Sequence, residues 1–173
     1  GILASGDDIT ISGNTVTGSG LSSGNGNYGI NVSLSSGGGL IENNNVSNTI
    51  WGITSHDQYP VLIKNNIIDS ASSYGIYVFS KSNDIEGNTV TNSGVGIHVV
   101  RNNHKVHDNV VSNNNIGIKC DSSNVFSSSG GHEIFENTIS NSQQTGLIGC
   151  YYAKIYHNNI LNSVVSDGAS VST

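Results

Sequence analysis

Ile85-Glu86-Gly87-Asn88-Thr89-Val90 is followed, 21 residues on, by Val106-His107-Asp108-Asn109-Val110-Val111, a second copy of one pattern. The same aliphatic-x-x-Asn-x-aliphatic hexapeptide begins at Ile11, Ile41, Ile63, Ile134 and Ile155. Its asparagines, Asn14, Asn44, Asn66, Asn88, Asn109, Asn137 and Asn158, are separated by 30, 22, 22, 21, 28 and 21 residues. Between the copies runs a second signature, Gly followed by an aliphatic residue: Tyr28-Gly29-Ile30, Trp51-Gly52-Ile53, Tyr74-Gly75-Ile76, Val95-Gly96-Ile97, Ile116-Gly117-Ile118 and Thr145-Gly146-Leu147. Two signatures that keep step along a chain identify a repeat architecture.

Each apolar-x-apolar triplet reads as a strand of about three residues, alternating inward and outward. Such a strand is too short to be stable alone. Stacked about 4.8 Å from its copy, it gains backbone hydrogen bonds and buries its aliphatic side chain in a shared column. A period near 22 is too short for a helix pair, and Leu is too scarce for leucine-rich repeats. The expected fold is therefore all-β: a single-stranded right-handed parallel β-helix, a solenoid of about seven coils with a period of about 21–23 residues. The recurring Asn is expected to form a side-chain ladder and to tolerate a left-handed turn. The recurring Gly is expected to supply a positive φ.

The 173 residues suit one domain, 1–173, with a repeat core over 8–162 and projecting loops at 18–27 and 121–133. The tail from Ser163 carries no repeat signature and is expected to be a cap or a frayed end. Gly1 to Asp8 has neither the basic region nor the apolar stretch of a signal peptide, so the chain is expected to be part of a longer one. A net charge of -6 with six Lys+Arg argues against a nucleic-acid partner, and no apolar run approaches a membrane span. Cys120 and Cys150 are the only cysteines; a disulfide and two buried small side chains are both open.

The repeat resembles the right-handed parallel β-helices of the pectate-lyase-like superfamily over roughly residues 8 to 162. That resemblance implies a secreted or surface protein acting on or holding polysaccharide. A local stretch, Trp51-Gly52-Ile53-Thr54-Ser55-His56-Asp57, resembles the Tyr-Gly-Phe-Asp-Pro-His-Glu segment of mannuronan C5-epimerases, with His56 falling on that family's catalytic His. Trp51 stands for its Tyr and Thr54 for its first Asp, and Phe79 falls where the next coil contributes an Asp.

The outward positions after each Gly-Ile are Asn31, Thr54, Tyr77, His98, Lys119 and Ile148. Tyr77, His98 and Lys119 should stack on consecutive coils, with His56, Asp57, Arg101 and Asp121 just beyond. Chemistry on a uronic acid needs a cation for the carboxylate, a base for the C5 proton and an acid. Tyr77, His98 and His56 are the candidate catalytic residues, and Lys119, Arg101, Trp51 and Asp121 the candidate substrate-binding ones. A solvated strand also places Tyr, His and Lys outward for no further reason, and Tyr28, Trp51 and Tyr74 suit side-wall packing as well as sugar stacking. The remaining histidines lack zinc-ligand spacing, so no cofactor is expected; calcium stays open, but the scattered carboxylates, Asp84 and Glu86 among them, assign it no site.

The reading that follows is an extracellular or cell- or virion-surface protein, a polysaccharide lyase or C5-epimerase acting on an acidic polysaccharide. The alternative is a non-catalytic carbohydrate-binding module, or part of a tailspike or adhesin. Flanking domains of a longer chain, or a homotrimer, are the expected protein partners.

Overall fold

The computed structural model describes residues 1–18, 27–56, 58–121 and 131–163. Among them every regular element is a strand, and every pairing is parallel. The strands form three ladders. The first runs through Tyr28–Glu42, Trp51–Ser55, Tyr74–Val78, Val95–Val100, Ile116–Asp121 and Thr145–Ile148. The second starts at the far end of Tyr28–Glu42 and continues through Val61–Lys64, Asp84–Glu86, Lys105–His107, Glu133–Phe135 and Lys154–Tyr156. The third is a separate seven-stranded sheet from Thr15–Thr17 to Asn159–Leu161. The chain is the expected parallel β-helix of seven coils.

Each ladder sends an aliphatic column inward, and the first adds a second one through Val32, Val78 and Val99. Ile30, Ile53, Ile76, Ile97, Ile118 and Leu147 come from the first, and Ile41, Ile63, Ile85, Val106, Ile134 and Ile155 from the second. Val46, Ile68, Val90, Val111 and Ile139 come from the third. All of these are buried, so the core is a three-walled rod rather than a sphere. A fully buried Ile or Val contributes roughly 1.5–3 kcal/mol, and most coils supply at least three such residues.

The asparagine ladder forms as expected. The Asn88 Nδ2 donates to Asn109 Oδ1 at 3.0 Å, and Asn88 Oδ1 accepts from both Nδ2 and the backbone N–H of Asn66. The same links run from Asn14 to Asn158. Its backbone role, however, belongs to the preceding residue. Positive φ falls on Gly13, Asn43, Asn65, Gly87, Asp108, Glu136 and His157, one position before each ladder Asn.

The recurring glycines also serve a purpose other than the expected one. Gly29, Gly52, Gly75, Gly96, Gly117 and Gly146 have no positive φ. A Cβ on Gly75 would collide with the Val90 side chain from the third ladder and the Gly96 carbonyl on the next coil. Glycine is required because the corner between two walls leaves no space.

Cys120 and Cys150 form a disulfide with a Cα–Cα distance of 4.7 Å, tying the last two first-ladder coils together. The projecting loops expected at 18–27 and 121–133 fall mainly on 19–26 and 122–130, outside the described residues, as do Asp57 and most of the tail. No helix among the described residues is long and apolar enough to cross a membrane.

Candidate functional site

The first ladder sets its outward column in the expected register: Asn31, Thr54, Tyr77, His98, Lys119 and Ile148 pair in sequence. Immediately before the corner glycines, Tyr28, Trp51 and Tyr74 form a parallel column. The two columns close on each other. Trp51 lies 5.8 Å from Tyr28 and 4.8 Å from Tyr74, centroid to centroid, and meets Tyr77 edge-on at 5.2 Å. Tyr77 contacts His56 at 5.6 Å and Tyr74 at 5.2 Å. His98 stacks on Tyr74 at 5.1 Å. Tyr28, Trp51, Tyr74 and Tyr77 are half-buried and His56 is exposed, so the patch presents ring surface to solvent over three coils.

A polar knot closes one end of the patch. His98 Nε2 lies 2.8 Å from Asp121 Oδ2, and Lys119 Nζ lies 3.0 Å from the same oxygen. Asp121 is stabilised as a carboxylate: burial works against its charge, but the Lys119 hydrogen bond and the His98 contact hold its pKa below the usual value. Burial lowers the pKa of His98 despite the neighbouring Asp121, so the imidazole is neutral near pH 7 and donates Nε2–H. Among the described residues its Nδ1 makes no hydrogen bond. Burial, with Tyr74 and Asp121 alongside, raises the pKa of the Tyr77 phenol.

Six of the seven sequence-selected residues thus share one patch: Trp51, His56, Tyr77, His98, Lys119 and Asp121. Arg101 sits beside it, its guanidinium 4.4 Å above the Phe79 ring and its backbone N–H bonded to the Asp121 carbonyl. Two outward residues are not solvated as the strand alternation suggests. Thr54 is fully buried and bonded to Asn31 Oδ1, and His98 is 4% exposed. Large neighbours on adjacent coils cover them.

The second ladder carries a group that the sequence reading passed over. Glu42, Lys64, Glu86, His107, Phe135 and Tyr156 occupy one outward register column. His107 Nε2 lies 2.9 Å from Asp84 Oδ1 and 3.7 Å from Glu86 Oε2, while its Nδ1 lies 2.7 Å from Asp108 Oδ2. Burial opposes charge on His107, but the hydrogen bonds and charges of Asp108 and Asp84 outweigh it and raise its pKa. Phe135 stacks flat on the imidazole at 4.6 Å. The carboxylates that looked scattered in sequence therefore converge: Glu86 and His107 hold the same position in successive hexapeptides. Aligning those positions, rather than seeking short His spacings, exposes the group. Among the described residues Asp84, Glu86 and His107 have ligand atoms all within 4.8 Å of one another.

No match was found among curated proteins or solved structures, so the mannuronan epimerase likeness gains no support from them. The family model described as "Periplasmic copper-binding protein (NosD)" matches residues 1–145. The periplasm lies outside the cytoplasm, in agreement with the expected localisation and with a disulfide. Because that match spans six of the seven ladder asparagines and both outward faces, the chain belongs to the NosD family.

Proposed function

We propose that this chain is a non-catalytic, extracytoplasmic β-helix module that binds polysaccharide along the aromatic patch of its first ladder. The observation that carries this reading is the run of rings from Tyr28 through Trp51, Tyr74 and Tyr77, spread over successive coils with faces and edges reaching solvent. Sugar rings present apolar C–H faces that pack on aromatic side chains, and a flat ladder suits a linear polymer.

Lyase or epimerase chemistry on an acidic polymer has less support. The cation that would neutralise a uronate carboxylate, Lys119, is already bonded to Asp121, and Arg101 packs on Phe79. The candidate base His98 is buried with its Nε2 committed to Asp121, and Tyr77 is harder to ionise than an ordinary tyrosine. Affinity electrophoresis against a panel of neutral and acidic glycans tests the module. Retarded migration without new unsaturated or epimerised product, read by ultraviolet absorbance and NMR, is expected. Product formation that Tyr77→Phe abolishes would establish the enzymatic reading instead.

Copper binding is the second reading, brought by the family's description and opposed to the expectation of no cofactor. The donors decide how copper would fit. Soft sulfur ligands select Cu(I), but both cysteines are in the disulfide and the chain has no Met. Imidazole and carboxylate donors suit Cu(II), and the second ladder offers that combination at His107, Asp84 and Glu86. Bound there, the ion would supply a strong positive charge between two coils.

A further inference from the structure

The geometry points to a Cu(II)-selective site that bridges two coils of the second ladder, with Asp84, Glu86 and His107 as ligands and Asp108 as a positioning residue. This inference rests on the copper reading above. Asp84 and Glu86 leave one strand on the same outward face, two residues apart, and His107 stands on the next coil in register with Glu86. Donors about 2 Å from an ion and at right angles lie about 2.8–3 Å apart. The Asp84 Oδ1 to His107 Nε2 separation of 2.9 Å matches adjacent ligands, and the 3.7 Å to Glu86 Oε2 leaves that longer side chain a small rotation to close.

Asp108 completes the arrangement from the far side of the ring. Its Oδ2 lies 2.7 Å from His107 Nδ1, so it holds the Nδ1–H tautomer and leaves the Nε2 lone pair for the metal once the Nε2 proton is displaced. A carboxylate behind a ligating histidine sets ring orientation and raises ligand basicity. The flat stack of Phe135 on the same ring fixes its plane. One nitrogen with two carboxylate oxygens is a donor set that suits Cu(II), and the divalent series puts copper above zinc at such a set.

The test uses the whole chain and copper(II) sulfate with glycine as competing chelator, followed by calorimetry and electron paramagnetic resonance. One tightly bound Cu(II) with the hyperfine pattern of a single imidazole nitrogen is expected. His107→Ala should abolish it, Asp84→Asn should weaken it at least tenfold, and Asp108→Asn should weaken it about tenfold while shifting the copper spectrum. Zinc should bind more weakly than copper, and His157→Ala, on an exposed histidine outside the group, should change nothing. Cu(II) binding that survives His107→Ala, in a variant with an unchanged far-ultraviolet spectrum, would overturn this site while leaving copper binding in place. Failure of the wild-type chain to bind Cu(II) at all would remove both. An unshifted spectrum in Asp108→Asn would overturn its positioning role.

Discussion

Asp121 accepts from His98 across a coil boundary, its Oδ2 2.8 Å from the imidazole Nε2, and the same oxygen holds the Lys119 ammonium. These residues come from adjacent strands in register, and together they carry no net charge when His98 is neutral. That pairing separates a surface that recognises sugar rings from one that recognises sugar carboxylates. Asp121→Asn should therefore release Lys119 and strengthen binding of polyuronates several-fold at low salt. Affinity for neutral glycans should be unchanged. An increase that persists at high ionic strength would show that charge is not responsible.

Trp51 touches Tyr28, Tyr74 and Tyr77, so it is the centre of the aromatic patch. Trp51→Ala should weaken glycan binding at least about tenfold, as truncation of a central aromatic anchor commonly does. Far-ultraviolet circular dichroism and the melting temperature separate this from unfolding. Unaltered affinity in a folded variant would move the binding face elsewhere.

His104 and His132 make the rod sensitive to acid. They stack at 5.2 Å, and each Nδ1 accepts a backbone N–H from the preceding coil, His104 from Asn83 and His132 from His104. Burial lowers both pKa values from 6.5 to about 4. Between those values the unfolded chain binds protons that the folded chain refuses, so stability falls as pH drops from about 6.5 and levels off below about 4. The loss should approach about 3 kcal/mol per imidazole. In His104→Asn/His132→Asn, an amide oxygen replaces each Nδ1 acceptor, and denaturant melts at pH 4.5 and 7 should differ much less.

Asn88 satisfies several buried groups at once. Its Oδ1 takes two donors from Asn66, and its Nδ2 reaches the carbonyls of Ile63 and Glu86. Asn88→Ala orphans them in the core and should cost about 3–5 kcal/mol. Among the described residues no donor reaches the Oδ1 of Asn14, which gives its own N–H and Nδ2 to Asn44, and Asn14→Ala should cost only about 1 kcal/mol. Urea unfolding of the two variants checks the contrast.

The Cys120–Cys150 bond closes a loop of 30 residues. Cross-linking such a loop removes unfolded-state entropy worth about 3.6 kcal/mol, so reduction should lower the unfolding midpoint accordingly. Cys120→Ala/Cys150→Ala should reproduce the loss without reductant.

Residue spacing alone determined the solenoid, the asparagine ladder, the inward columns and the register that stacks Tyr77, His98 and Lys119. A period-2 strand repeated every 21 or 22 residues allows few other ways to bury its aliphatics, so a one-dimensional pattern suffices. Packing between walls decided the rest. The corner glycines are small because Val46, Ile68, Val90, Val111 and Ile139 approach from the third ladder, and no local φ preference encodes that approach. The burial of His98, the pairing of Lys119 with Asp121, and the convergence of Asp84 and Glu86 on His107 depend on side chains a full coil apart. Sequence position says which residues are neighbours along the rod. Only the folded chain says how their side chains share the space, because charge and exposure belong to the assembled surface and not to the strand that supplies it.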